Sequence, residues 1–458
     1  MLSRPTHQIL RLYQLMTGRR VLQRFQELER SQWLSRDELL ALQQAKLQRL
    51  VEYAYQHVPY YQRIFKELGF HPQDLSRDPA SFRKLPLLTK QIIREHTEEL
   101  FSDDPALRKT LTPHSTSGST GQPLTFWEDD NQRDYVTAEV FRSLTWSGWR
   151  LGDPHGYLWG SGNLELAPWH HKLRQQMVDF SFNQFVVGAY DLSPANLGEL
   201  VRLIRRSQPQ VLTGYTGALS VFAQHVKEQS LSEIKFRALY GTAEVLYSHQ
   251  RKLLEEIFGC RVFNRYATSE IGMIGCECDV HNGLHVSVES SYLEIVKGDR
   301  AAADGEPGEI VVTNLNNIGF PLIRYRINDI VSSRTGLCLC GRQSPLIECV
   351  QGRTVDLFRT VDGRHVWGDF DVTLFQVEHV KRSQVIQKAL DLVLVRIVRD
   401  ESFTDSDAAR IEDVIKRTLG NSVRVQFEFL DQIPQQKSGK FRYAYSELSD
   451  SSPWENKQ

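Results

Sequence analysis

No run of apolar residues in this chain reaches the roughly 18 needed to cross a bilayer. Residues Met1 to Arg30 are rich in arginine and glutamine and lack the apolar block of a secretory signal. Excess charge is missing too. The formal net charge is −1, which leaves no electrostatic footprint for nucleic acid and no acidic tail. Cysteine is scarce: six in 458 residues are too few for a disulfide framework. There is no internal repeat and no low-complexity tract. Together these absences predict a soluble, cytoplasmic protein with no transmembrane segment and no nucleic-acid partner. A chain of 458 residues also exceeds one simple core, so two or more domains are expected.

Hydrophobic spacing sets the coarse organisation. From about 11 to 68 it is helical, with Leu39, Leu40, Leu42, Leu47, Leu50, Val51 and Tyr55 in register, until Val58-Pro59 interrupts it. Thr89 is placed to cap a short helix after Lys84-Leu-Pro-Leu-Leu-Thr89. From there to about 350, strand-like runs alternate with helices. Val211–Tyr215 precedes a helix over 218–228, Phe236–Gly241 precedes one over 248–258, and Arg261–Tyr266 follows. That rhythm predicts α/β layers with largely parallel strands. Ser290–Val296 and Gly308–Asn314 then alternate like a β-rich subdomain. Past Gly352-Arg353, a strand (391–399), a helix (406–419) and a strand (422–430) predict a small α+β unit, with a polar tail over 449–458.

The chemistry is concentrated in a few short segments. Ser115-Thr-Ser-Gly-Ser-Thr-Gly-Gln-Pro123 offers hydroxyls at Ser117, Ser119 and Thr120, and Gly118 and Gly121 admit backbone amides to an anion. It is no Walker A loop, because Gln122-Pro123 follow Gly121 where that loop needs lysine and a hydroxyl residue. Tyr240-Gly-Thr-Ala-Glu244 (Gly241, Thr242, Ala243) is expected to end a strand and open a helix, where α/β proteins hold ligands. Tyr266-Ala-Thr-Ser-Glu270 (Ala267, Thr268, Ser269) is expected to repeat that geometry, ending in a carboxylate suited to Mg²⁺. Asp329 closes Pro321-Leu-Ile-Arg-Tyr-Arg-Ile-Asn-Asp329, and Lys440 sits on the small-residue turn Lys437-Ser-Gly-Lys440. Each segment alone also fits an ordinary loop or solvated charge; their order along the chain is the stronger signal.

In that order the segments resemble the adenylate-forming enzymes, in particular the phenylacetate–CoA ligase-like branch with its capsular-polysaccharide-associated relatives. Val58-Pro-Tyr-Tyr61 and Lys84–Lys90 resemble the opening region of that branch, so the likeness covers nearly the whole chain. It implies a large N-terminal domain over 1–351 with a helical opening region over 1–88, and a small mobile C-terminal domain over 352–448. It further implies that ATP is held between the two domains. Ser117, Gly118, Ser119, Thr120 and Gly121 would hold its pyrophosphate end, Gly241, Thr242, Ala243 and Glu244 would line adenine, and Tyr266 would stack on it. Ser269 would reach the α-phosphate, Glu270 would hold Mg²⁺, Asp329 would bind ribose with Arg353 beside it, and Lys440 would bridge the carboxylate and the α-phosphate. The chain departs from the pattern at Gln122, where relatives carry lysine, at Ala267 for glycine, and at Val355, where an acid often serves as the hinge.

Four cysteines form two Cys-x-Cys pairs, Cys276/Cys278 and Cys338/Cys340, which in a reducing compartment suggests a metal, with His281 and His285 close by in sequence. Unligated thiols are the plain alternative. The same branch carries a Cys…Gly-x-His…Cys-x-Cys-Gly-Arg pattern, matched by Cys278, Gly283, His285, Cys338, Cys340, Gly341 and Arg342. It implies a structural Zn²⁺ on Cys278, His285, Cys338 and Cys340, with Cys276 in reserve.

The resemblance thus implies an AMP-forming ligase that uses ATP and Mg²⁺ to activate a small-molecule carboxylate and passes the acyl group to CoA. An amine acceptor, on a sugar or amino acid, and a catalytically inactive nucleotide-binding scaffold are the alternatives. Trp159, Trp169, Phe180, Phe182, Phe185, Tyr190 and Tyr215 are candidates for an acyl pocket wall, though aromatic residues at this density also make ordinary core.

Overall fold

A computed structural model describes residues 11, 14–116, 124–160, 169–189, 192–348, 350, 352–353, 357–362, 364–367, 377, 379–433 and 444–448. The chain begins with helices α1 (Val21–Ser31), α2 (Arg36–His57) and α3 (Pro59–Leu68). A capping box starts α2: Ser35 accepts from the Glu38 amide while the Glu38 carboxylate accepts from the Ser35 amide. The expected break at Val58-Pro59 is a junction of two helices. Val58 closes α2, and Pro59, which needs no amide donor at a first helical position, opens α3. The apolar face of α1 is not presented to solvent: Val21, Leu22 and Leu28 are buried, and the helix packs on the later helix Asp130–Thr145. Thr89 caps α4 (Lys90–Glu95) as expected, accepting from the Ile92 amide.

Strands β1 (Thr112–Ser115) and β2 (Thr125–Glu128) pair antiparallel and lead into α5 (Asp130–Thr145), whose cap is Asp129. A doubly wound region follows: β3 (His155–Trp159), α6 (Trp169–Phe182), β4 (Gln184–Gly188), α7 (Pro194–Ser207), β5 (Val211–Tyr215), α8 (Thr216–Glu228), β6 (Ala238–Thr242), α9 (Ser248–Phe258) and β7 (Arg261–Thr268). These strands lie parallel in the order β4-β3-β5-β6-β7. Their near-continuous apolar character reflects burial on both faces, β5 and β6 being buried at every position.

At β7 the sheet changes style. The antiparallel strands β8 (Gly272–Glu277), β9 (Leu284–Val286), β10 (Ser291–Lys297), β11 (Arg300–Ala301), β12 (Pro307–Asn314), β13 (Tyr325–Arg334), β14 (Leu346–Ile347) and β15 (Gly352–Arg353) extend it to 13 strands. After a hairpin of β16 (Leu357–Arg359) and β17 (His365–Trp367), a second sheet forms from β18 (Val380–Ala389), β19 (Leu392–Arg399), β20 (Arg424–Phe429) and β21 (Ala444–Ser446), with α10 (Asp405–Leu419) between β19 and β20. It has its own core, including Val385, Val395, Ile397, Ile411, Ile415 and Leu419. The fold is the expected α/β class: a large sheet-rich region followed by a separate small α+β domain.

Candidate functional site

The parallel strands β5, β6 and β7 all end at one edge of the sheet, and two of the sequence motifs, Tyr240–Glu244 and Tyr266–Glu270, fall on that edge. At the end of β6, Gly241 and Thr242 are buried and Ala243 takes a left-handed φ of 66°. Glu244 Oε2 accepts from the Gly217 amide, 2.6 Å, in the first turn of α8. A side chain at 241 would come within 3.0 Å of Thr216 Oγ1, so glycine there permits the close approach of β6 to α8. The helix after this motif begins only at Ser248, so the segment is a loop of several residues and not a direct helix start. Tyr240 faces away into the core, where its ring stacks on Phe263 at 4.9 Å.

The segment Tyr266–Glu270 departs from expectation. No helix follows it; β7 turns back into β8 as an antiparallel hairpin. The cause is local. Gly272 adopts φ 89°, and a Cβ there would lie 2.7 Å from Val136 Cγ2, so only glycine lets the turn lie against α5. Thr268 Oγ1 accepts from the Ile271 amide, closing the turn, and Ser269 is exposed at its tip. Glu270 is buried, with Tyr325 Oη donating to its Oε1 at 2.8 Å and the Lys90 ammonium 3.7 Å from the same oxygen. Lys90 arrives there because Leu88 bonds through its backbone to Arg324 and Arg326, laying that stretch along β13. A buried carboxylate supplies the oxygen ligands that a hard divalent metal takes, and Lys90 balances its charge when no metal is bound.

Asp329 lies within β13. Its Oδ2 accepts from Tyr266 Oη at 2.8 Å, which brings two of the motifs into contact. Arg353 stands opposite Asp329 in the β13–β15 pairing, so the two are adjacent in backbone. The structure therefore gathers Tyr266, Glu270 and Asp329, and adds Lys90 and Tyr325, which lie inside the quoted segments Lys84–Lys90 and Pro321–Asp329 but had been given no role there. Ser117, Gly118, Ser119, Thr120, Gly121, Gln122, Val355 and Lys440 lie outside the described residues, as does the Arg353 side chain.

The cysteine cluster is compact. Donor atoms of Cys278, His285, Cys338 and Cys340 all lie within 4.8 Å of one another, with Cys278 Sγ 3.5 Å from Cys338 Sγ and Cys340 Sγ 3.4 Å from His285 Nε2. Tetrahedral zinc with Zn–S of about 2.3 Å needs sulfurs about 3.8 Å apart, so the donor set fits. Burial pushes His285 down to about 4, which keeps the imidazole neutral, and its Nδ1 meets Ser344 Oγ at 3.0 Å, the outer-shell contact that orients a metal-binding histidine. Cys276 is not part of the cluster: its thiol donates to the Glu277 carbonyl. His281 instead pairs with Glu277, which also takes a two-pronged bond from Arg251.

Beside the cluster, the Arg342 guanidinium lies over the rings of Trp33 and Trp146, 4.7 Å from each. Gln32 Oε1 accepts from both Arg342 Nε and Trp146 Nε1. The cysteine loop is thereby fastened to the junction between α1 and α2.

The aromatic candidates separate. Trp159 and Tyr215 meet at 4.9 Å, Phe182 packs on Phe141 in another part of the core, and Phe180 is exposed. Tyr190 and the Trp169 side chain lie outside the described residues. A cleft of about 600 Å³ lined by Arg251, Glu255, Cys260, Arg261 and His281 sits at the amino end of β7, away from the motif edge.

Comparisons with known proteins agree with this architecture. Residues 360–447 match the family model of the CapK C-terminal domain. Protein CapK of Staphylococcus aureus is 24% identical over 426 residues, covering 90% of each chain. The phenylacetate–coenzyme A ligase of Thermus thermophilus is 28% identical, covering 71% of this chain and 72% of its own. Among solved structures, 2-hydroxyisobutyryl-CoA ligase in its postadenylation state superposes with a TM-score of 0.72 at 20% identity, covering 89% of both chains. The chain thus has the fold of the adenylate-forming ligases, and its relatives bear the names of the branch its motifs resemble. No helix among the described residues is long and apolar enough to cross a membrane.

Proposed function

We propose that this chain, with the fold of the adenylate-forming ligases, is an AMP-forming acid ligase that activates a carboxylate with ATP and transfers the acyl group to CoA. The observation that carries this reading is the convergence of Glu270, Tyr266 and Asp329 at the carboxyl edge of the parallel strands, where open α/β sheets bind ligands. Relatives named as CoA ligases support the class of reaction.

The carboxylate oxygen attacks the α-phosphorus, the bond to the pyrophosphate leaving group breaks, and acyl-AMP forms. The thiolate of CoA then attacks the acyl carbon and expels AMP. Two anions meet in the first step, so charge must be neutralised as it builds. Bound Mg²⁺ supplies that neutralisation on the phosphate oxygens. In this reading Glu270 holds the metal and Lys90 supplies a second cation close by. Asp329, fixed by Tyr266, takes the ribose hydroxyls, and Gly241 to Glu244 form the adenine wall. Ser117 to Gly121 cradle the phosphates, Ser269 and Lys440 reach the α-phosphate, and Arg353 stands beside Asp329. Cys278, His285, Cys338 and Cys340 hold a structural Zn²⁺, since four protein donors leave no open position for chemistry.

Product analysis over a carboxylate panel tests this. AMP and pyrophosphate are expected with an accepted acid, and steady release of ADP and phosphate overturns the reading. Enzyme loaded with acyl-AMP is expected to discharge on CoA; discharge only by an amino sugar or amino acid replaces the thioester with an amide product.

A further inference from the structure

The turn carrying Glu270 is held from outside its own hairpin. The Ile271 carbonyl, one residue past the acid, accepts from Gln132 Nε2 at 2.8 Å and from Asn314 Nδ2 at 3.4 Å. With the Ile271 amide bonded to Thr268 Oγ1, both sides of that residue are tied. Gln132 is 1% exposed, in the first turn of α5, and its own amide donates to Asp129 Oδ1. The other Asp129 oxygen accepts from the Ile318 and Gly319 amides. The start of α5 therefore grips two separate backbone segments, and α5 follows directly on β2, which belongs to the hairpin flanking the Ser/Thr/Gly loop in sequence.

We infer that Gln132 is a positioning residue: it sets the place of the Glu270 carboxylate relative to the hairpin that precedes α5, and so tunes the grip on the metal that accompanies the nucleotide. This rests on the reading of Glu270 as the Mg²⁺ ligand. The physical reason is the shortness of the turn. Glu270 has a single residue between it and the peptide that Gln132 holds, so a shift of that carbonyl moves the carboxylate with it. Outer contacts of this kind affect metal affinity because a ligand held out of place must be reoriented on binding.

The test is Gln132→Met, which keeps chain length and removes the donor. Mg²⁺ is titrated against the full-length protein with a fluorescent ATP analogue, with no carboxylate present. The half-saturating Mg²⁺ concentration is expected to rise about tenfold, while nucleotide binding at saturating Mg²⁺ stays within about twofold of the parent, since this route acts through the metal. Hydrogen exchange in the peptide spanning 268–272 is expected to quicken. Asn131→Ala, which removes a bond from the same helix turn to the Asn316 carbonyl, is the control: it is expected to lower stability and leave the Mg²⁺ curve unmoved. A folded Gln132→Met protein with the parent's Mg²⁺ curve overturns the inference. Should that variant not fold, Asn314→Ala, which removes the longer bond to the same carbonyl, is expected to shift the curve in the same direction, and no shift again overturns it. A parent whose nucleotide binding ignores Mg²⁺ overturns the assignment of Glu270 itself, a result distinct from either.

Discussion

Tyr266 Oη donates to Asp329 Oδ2 at 2.8 Å, joining the end of β7 to the middle of β13 across 63 positions of sequence. Both residues are nearly buried, and a hydrogen bond to a charged acceptor contributes about 1.5–3 kcal/mol. The phenol therefore fixes the carboxylate before any ligand arrives.

With ribose at Asp329, Asp329→Ala is expected to abolish discrimination between ATP and its 2′,3′-dideoxy analogue in a binding titration. Tyr266→Phe is expected to weaken ATP about tenfold, the equivalent of one such bond, and to keep part of the discrimination. Equal preference for ATP in the parent and in Asp329→Ala would place the ribose elsewhere.

Lys440→Ala is expected to slow acyl-AMP formation by roughly two to four powers of ten, as when a preorganised donor to developing charge is lost. The melting temperature is expected to hold. Pyrophosphate exchange reads the rate, and parent-like exchange identifies Lys440 as a surface charge.

Cys338→Ser and Cys340→Ser are each expected to release zinc and lower the melting temperature, because binding by a closed site of this kind is coupled to folding. Elemental analysis of the parent and the variants checks it. Zinc-free parent protein, or a melting temperature indifferent to chelation, favours free thiols.

Glu139 is fully buried among Arg142, Glu289, Lys46 and Ser290, and burial raises its carboxyl from the ordinary 4.5 to about 7. Between those values the folded state binds the proton and the unfolded state has lost it. Stability from this group is therefore greatest below pH 4.5 and falls as pH rises to about 7. Glu139→Gln is expected to flatten that fall in denaturant titrations across the same window, and an unchanged slope would place the pH dependence elsewhere.

The sequence was most legible where one period or one motif governs. β5 and α9 run over the residues that spacing marked, because each is a local pattern with no competing partner. The acids Glu270 and Asp329 were legible as motif members. The turn after Glu270 was not, since its direction is set by the fit of Gly272 against Val136 on another element. Lys90 and Tyr325 stood inside quoted segments without a role, and Gln132 outside them, for the same reason: a lysine at a helix start, a tyrosine in a strand and a glutamine in a helix acquire meaning only when the sheet brings them together. For the candidate metal set, the choice of Cys278 over Cys276 does not follow from strand alternation, which gives positions two apart the same face; β8 ends at Glu277, and Cys278 lies past that end, where its sulfur meets Cys338.

Gln32 and Arg342, whose bond fastens the cysteine loop to the opening helices, are separated by 310 positions. A ribosome adding about 5–20 residues per second leaves that partner unmade for roughly 15–60 s after Gln32 is synthesised. Leu47, Leu50 and Val51 of α2 share their core with Leu284, Val312, Tyr325 and Val331, which also lie far along the chain. During that interval the face of α2 that meets the sheet has nothing from the sheet to cover it, the condition that invites chaperones or aggregation.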